Sequence, residues 1–257
     1  MSATAQRVAA RRLRFERVAS AFGDPAADDR LALDVAGQAP VPPDARMEAY
    51  LRARTAFFDR GVVDGLERGT PQVVIVAAGY DGRALRYARP GVRWFEVDHP
   101  ATQQDKRQRL ARLGIACGHI TFVPVDLAVH DVAAVLAAAG HDRSEPSLLC
   151  CEGLAGYLDR AVLASLLERL RSVAAAGTRL AVSLSVFAPD EHRGIRQSFQ
   201  ATVAALGEPA RTVLTPHETD DLLAATGWRV VPSPPAHAPA QRLGPVRLLV
   251  LEPLAGS

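Results

Sequence analysis

Residues 72–83 read QVVIVAAGYDGR. The first part, Gln72 to Ala78, is a continuous apolar run rich in β-branched residues. That is the pattern of a strand covered on both faces, as in a parallel sheet. Gly79-Tyr80-Asp81-Gly82 predicts a tight turn, and Arg83 to Ala88 a short helix. A strand that passes through a glycine turn into a helix opens a β-α unit, and the chain then repeats that unit. Further strands are predicted at Val92–Val97, Ile120–Val125, Ser147–Cys151 and Arg179–Phe187, separated by helices at Ala101–Leu113, Val132–Ala139 and Arg160–Ala175. A helical excursion over Pro189–Leu206, a helix over Pro216–Thr226 and strands at Trp228–Val231 and Val246–Leu251 complete the pattern; a Pro-rich link, Pro232–Pro245, joins the last two strands. The expected architecture is α/β, a mostly parallel seven-stranded sheet with helices on both faces.

Upstream of this core, Ala5 to Phe22 reads as a helix with Val8, Leu13, Phe15, Val18, Ala19 and Phe22 set among arginines. Such a basic amphipathic helix can lie on a membrane surface, but the expected place is packed on its own domain. Gly23 to Pro43, with four prolines and a DPAADD run, reads as loop. A second helix is predicted from Asp44, near its cap, to about Arg68, with Gly69-Thr70-Pro71 ending it. Residues 1–70 thus form an N-terminal helical cap, and residues 71–257 a core carrying a helical substrate lid near 188–215.

The composition sets limits. With 257 residues, 48% hydrophobic and 23% charged, the chain is globular rather than disordered. A net charge of +2 provides no global basic field for nucleic acid. No apolar run reaches bilayer-spanning length, and no long apolar stretch follows the N-terminal arginines, so neither membrane insertion nor a secretory signal is expected. Cys117, Cys150 and Cys151 form neither a disulfide framework nor a zinc spacing, which points to the reducing cytoplasm. Among the basic residues only Lys106 is a lysine. The bias toward Ala, Pro and Arg reads as that of a GC-rich genome.

In open parallel sheets ligands bind at the carboxyl ends of the strands. The turn after the first strand lacks the G-x-G-x-x-G of dinucleotide binders, and Asp81 stands where a small residue would lie beside a pyrophosphate. A carboxylate there repels a diphosphate and suits a cationic amino-acid group. The second strand ends FEVDHP, where Asp98, or next to it Glu96, can accept hydrogen bonds from both hydroxyls of a ribose. Helix capping is the competing reading for Asp98, as it is for Asp126 in the VDL turn after the third strand, where a carboxylate can also meet an adenine amine. Glu152 leaves the fourth strand into a largely apolar setting and calls for a ligand or an arginine. Four acids after four successive strands fit a cofactor with positive charge. S-adenosylmethionine, with its sulfonium and ammonium, satisfies this; NAD, with its diphosphate, does not.

The ordered segments VVIVAAGYDGRALR, WFEVDHPATQQDKRQRL, FVPVDL and CCEGLAGYL resemble the leucine carboxyl methyltransferase family. This family is a branch of the class I S-adenosylmethionine-dependent methyltransferases, and it includes bacterial polyketide carboxyl methyltransferases. The resemblance runs from about Tyr50 to Ser185, with a weaker match, LLAATGW, at Leu222–Trp228. It implies a Rossmann-like methyltransferase fold and a set of roles. Gly79 would lie under the methionine part of the cofactor with Asp81 nearby, Asp98 would hold the ribose, Asp126 and Leu127 would frame the adenine, and Glu152 would lie near the amino end. YLRARTAFFD resembles the family's arginine-containing helix before the first strand, so Arg54, or failing it Arg52, would pair with the cofactor carboxylate. Two departures are Ala78, and Gly82 where threonine is common.

Methyl transfer from a sulfonium is an in-line displacement in which positioning does most of the work. A carboxylate acceptor, with a pKa of about 4, is already ionised, whereas a phenol, near 10, needs a base. Tyr157 and His192 are the candidate catalytic groups; His99 and His217 rank behind them. No ligand cluster for a metal stands out beyond the cofactor carboxylates. The expectation is an O-methyltransferase that esterifies a small acid, a polyketide or another secondary metabolite, with no nucleic-acid or membrane partner. The alternatives are a phenol or enol acceptor with His192 or Tyr157 as base, a protein C-terminal carboxylate, and a catalytically silent cofactor-binding protein.

Overall fold

The computed structural model describes residues 3–37, 44–187, 211–231, 240–243 and 246–254. Three helices come first: α1 (Ala3–Arg12), α2 (Pro25–Ala36) and α3 (Ala45–Glu67). The alternating part follows as β1 (Gln72–Val76), α4 (Arg83–Arg86), β2 (Arg93–Asp98), α5 (Pro100–Arg112), β3 (Ile120–Pro124), α6 (Val132–Ala138) and β4 (Ser147–Cys151). After a single 3-10 turn (Ala155–Tyr157) come α7 (Arg160–Ser172), β5 (Arg179–Ser185), α8 (Pro216–Ala225), β6 (Trp228–Val230), β7 (Ala240–Leu243) and β8 (Val246–Pro253). The expected helical excursion after β5, with His192, lies outside the described residues.

The sheet order is β3-β2-β1-β4-β5-β8-β6, and β7 pairs with β8 off this path. The pairs from β3 through β5 are parallel, while β8 runs antiparallel to β5, β6 and β7. Strand order reverses between β1 and β4, which is where a sheet of this kind opens a ligand crevice.

Alternation along the strands builds two cores. Val74, Val76, Phe95, Val97, Leu149 and Cys151 face the side covered by α6, α7 and α8. Val73, Ile75, Trp94, Leu148 and Cys150 face the side covered by the N-terminal helices and α5. Both faces are therefore covered, which explains why β1 and β4 are apolar at almost every position. Among the described residues no helix is long and apolar enough to cross a membrane.

Three local expectations are corrected. The first helix ends at Arg12 rather than Phe22, because the chain beyond it is held by tertiary bonds: the Val18 carbonyl accepts from Tyr87 Oη at 2.9 Å and the Asp24 amide donates to the Leu85 carbonyl at 2.9 Å. The stretch read as loop contains α2, with Asp24 accepting from the Ala27 amide, Pro25 in the first turn, and Leu31 and Val35 fully buried. The Pro-rich link contains β7, which pairs with β8 from Ala240↔Leu249 to Leu243↔Val246.

Candidate active site

At the carboxyl ends of β1 and β4, where strand order reverses, the site is built on the turn that follows β1. Ala77 and Gly79 both take left-handed backbone angles, φ 54 and 52°. For alanine this conformation costs about 1–2 kcal/mol, so the surrounding structure must impose it. The turn closes with the Asp81 amide donating to the Ala78 carbonyl at 2.7 Å. The Ala5 side chain of α1 lies 3.0 Å from the position of a Cβ on Gly79, so the N-terminal helix rests on the turn. At Gly82 a Cβ would overlap the Asp28 carboxylate of α2. A threonine there would have to displace the Asp28 side chain.

Asp98 stands at the tip of β2. Its Oδ2 accepts from the Gly79 amide at 2.5 Å and its Oδ1 from the His99 amide at 2.6 Å. Partial burial raises its pKa, and the two backbone donors pull it back. His99, not Asp98, caps α5. The runner-up, Glu96, points into the interior and is held by Lys106 Nζ at 2.6 Å. Burial pushes its carboxyl up to about 7 while Lys106 opposes the rise. Of the two carboxylates Asp98 is the less buried.

Asp81 and Glu152 are brought together behind the turn, but neither is bare. Glu152 Oε2 meets Arg12 Nη2 at 2.9 Å and Arg83 Nη1 at 2.7 Å, and its Oε1 accepts from Arg54 Nε at 2.9 Å. Asp81 is paired with Arg12 at 3.3 Å and with Arg83. Arg83, fully buried, also donates from Nε to Asp59 Oδ1 at 2.7 Å, and Arg17 donates to both Asp59 oxygens, at 2.6 and 2.9 Å. Asp28 links Arg17 to Arg86, and Arg86 continues to Asp29. Five arginines and five acids form one connected network tying α1, α2 and α3 to the turn and to the end of β4. Burial alone would raise Glu152, but Arg12, Arg83 and Arg54 hold it well below the usual carboxylate range. Asp59 is likewise lowered to about 2 by Arg83 and Arg17 against its burial.

The four acids do not, then, present four free carboxylates. Arg54 is the inward residue of the α3 pair, bonded to Glu152 and donating to Tyr50 Oη at 3.2 Å; Arg52 is exposed, over the Phe15 ring. Asp126 lies beyond Asp98, partly exposed, and its Oδ1 accepts from the Ala128 amide at 2.9 Å. Leu127 packs partly buried against the core beside it. Tyr157 sits on the 3-10 turn five residues past Glu152, partly buried. Cys150 and Cys151 are buried in β4, and burial pushes both thiols up. Sequence reasoning missed Arg12, Arg17 and Arg83. Their partners lie up to 140 residues away, and the one signal was a need for charge compensation at Glu152.

A parallel sheet whose strand order reverses between β1 and β4, an acid at the tip of β2 tied to the turn after β1, and an antiparallel strand inserted beyond β5 define the class I S-adenosylmethionine-dependent methyltransferase fold. Solved structures share it. A DUF574-family protein from Streptomyces avermitilis matches with TM-score 0.60 at 15% identity, over 98% of each chain. Human N-acetylserotonin methyltransferase, solved in complex with SAM, matches with TM-score 0.51 at 14% identity, over 89% of this chain and 67% of that one. The sequence profile of the leucine carboxyl methyltransferase family matches residues 2–171, and the chain belongs to that family. A putative S-adenosyl-L-methionine-dependent methyltransferase of Mycobacterium sp. (strain JLS) is 43% identical over 155 residues, which are 59% of this chain and 50% of that protein. The chain spans about half the length of the curated relatives it matches.

Proposed function

We propose that this chain is an S-adenosylmethionine-dependent O-methyltransferase that forms a methyl ester on the carboxylate of a small acid. The observation that carries the cofactor assignment is the Asp98 carboxylate at the β2 tip, fastened to the Gly79 amide in the turn after β1. Asp98 would accept from the ribose hydroxyls, and Asp126 with Leu127 would border the adenine. Behind the turn, the zwitterionic end of the cofactor would enter the arginine–acid network. Arg54 and Arg12 are the donors for its carboxylate, and Glu152 is the partner for its ammonium. The network already balances both signs of charge, so a zwitterion can exchange partners with it and leave no buried charge unpaired. When bound, the cofactor supplies an electrophilic methyl group on a sulfonium.

The ester reading is supported by the five described histidines. His99 caps α5, His119 meets the Ala84 carbonyl, His130 turns back on Asp126, His141 bonds Ser147 and His217 pairs with Asp221. Among the described residues, no histidine stands in the turn cluster beside an orienting carboxylate. A carboxylate acceptor needs no proton removed, only orientation and desolvation, and Tyr157, five residues past Glu152, is the hydroxyl assigned to the orienting. The bacterial branch of the family favours a polyketide or related metabolite as the acid, acting in the cytoplasm, where the three free cysteines stay reduced.

The test is incubation with methyl-labelled cofactor and a panel of small acids, followed by mild base. Release of labelled methanol is expected. Single-turnover rates should be flat from about pH 6 upward, because the acceptor is already ionised there. A base-stable ether, with a rate climbing through pH 7 and collapsing in His192→Ala, would replace the ester by a phenol acceptor.

A further inference from the structure

Lys106 is the one lysine in a chain whose other basic side chains of that kind are all arginine, and it is 1% exposed. From the middle of α5 its ammonium donates to Glu96 Oε2 at 2.6 Å and to the main-chain carbonyl of Asp81 at 2.6 Å. Glu96 is as deeply buried, and its Oε1 has no hydrogen-bond partner among the described residues. Taking such a pair out of water is costly, and a well-packed apolar replacement is often no less stable. Cohesion alone is therefore a poor reason for this pair.

The bond to Asp81 supplies a better one, because that carbonyl belongs to the turn after β1. The preceding helix residue, Asp105, accepts from Tyr80 Oη at 2.5 Å, so consecutive residues of α5 hold consecutive residues of the turn. Gln103 anchors α5 itself, donating to the Glu96 carbonyl at 2.5 Å and to the Val123 carbonyl at 3.1 Å. A compact ammonium with three donors can bridge a carboxylate and a lone carbonyl in this space; a planar guanidinium fork has the wrong shape for it.

We propose that Lys106 is a positioning residue for the cofactor, fixing the Asp81 carbonyl and with it the shape of the Gly79–Gly82 turn, while Glu96 serves as its counter-charge. The proposal rests on the methyltransferase reading for its consequence in cofactor binding, but its effect on the turn is measurable without a ligand. Three variants separate the roles: Lys106→Met, Lys106→Arg and the double variant Lys106→Met/Glu96→Gln. Lys106→Met takes the counter-charge from a buried carboxyl already pushed up to about 7, so Glu96 must hold a proton there, and the variant should lose thermal stability increasingly as pH rises above 7; the double variant, with an amide that cannot ionise at this position, should lose less. The double variant should nevertheless exchange its amide hydrogens at residues 79–83 about tenfold faster than wild type in the ligand-free protein, and bind S-adenosylmethionine about tenfold more weakly, the scale of one lost charge-assisted hydrogen bond. Lys106→Arg should not restore the affinity. Wild-type exchange in the turn of the double variant would overturn the positioning role, and so would wild-type affinity in that variant. Failure of the wild-type protein itself to bind S-adenosylmethionine would instead overturn the methyltransferase reading, with the exchange data still deciding what Lys106 does to the turn.

Discussion

Arg83→Met should lower the free energy of unfolding by about 3–5 kcal/mol, the scale for removing one partner from a buried ion pair. That is a large share of the roughly 5–15 kcal/mol that holds a typical domain. Arg83 is fully buried and touches Asp59, Asp81 and Glu152 at once, so its loss leaves three interior carboxylates with fewer counter-charges. Denaturant unfolding of wild type and variant measures it. The exposed pair Arg160–Glu218, 2.8 Å apart, is the control: Arg160→Met should cost at most about 1 kcal/mol. The pH dependence carries a signature. Asp59 titrates near 2 in the folded protein and near 4 when unfolded, so its contribution is complete above about pH 4 and is lost as pH falls through 2. Wild type should therefore lose stability steeply over that range, and Arg83→Met less steeply. Equal costs for Arg83→Met and Arg160→Met would contradict the network's role in joining the N-terminal helices to the core.

Asp98→Ala should weaken S-adenosylmethionine binding by about 1–3 kcal/mol, because the ribose hydroxyls lose a charged acceptor. The change also frees the Gly79 amide, which Asp98 now accepts from at 2.5 Å, so both ligand and turn are affected. Asp98→Asn separates the two effects. Its amide oxygen can still accept from Gly79 but brings no charge to the ribose, so its affinity should fall between wild type and alanine. Calorimetric titration of the three proteins reads this directly. Unchanged affinity in Asp98→Ala would remove Asp98 from the site.

The strands were legible because each buried face leaves its own imprint. Gln72–Val76 and Ser147–Cys151 are covered on both sides, and a doubly covered strand has little choice but to be apolar throughout. The acid at the tip of β2 was legible because Asp98 ends such a run abruptly. Other features were harder to read. In α2, the DPAADD run suggested a loop, yet Asp24 caps the helix, Pro25 opens it, and Ala27, Leu31 and Val35 recur at helical spacing on its buried face. The β7 strand sits in a Pro-rich segment and owes its pairing to β8, a tertiary fact. The arginine network was hidden for a similar reason. Helical spacing shows that Arg12 and Arg54 lie on helices, but not that both converge on Glu152 from different elements. Glu152 was read as needing a ligand or an arginine, and the structure gives it three arginines.

On the proposed reading, the acid-tipped strands and the arginine network hold a zwitterionic nucleoside sulfonium rather than a dinucleotide. Calorimetric titration of the wild-type chain with S-adenosylmethionine and, separately, with NAD tests it most directly. Saturable binding of S-adenosylmethionine and none of NAD is expected, since the turn after β1 lacks the glycine pattern that lets a diphosphate approach the backbone. Binding of NAD without binding of S-adenosylmethionine would contradict it.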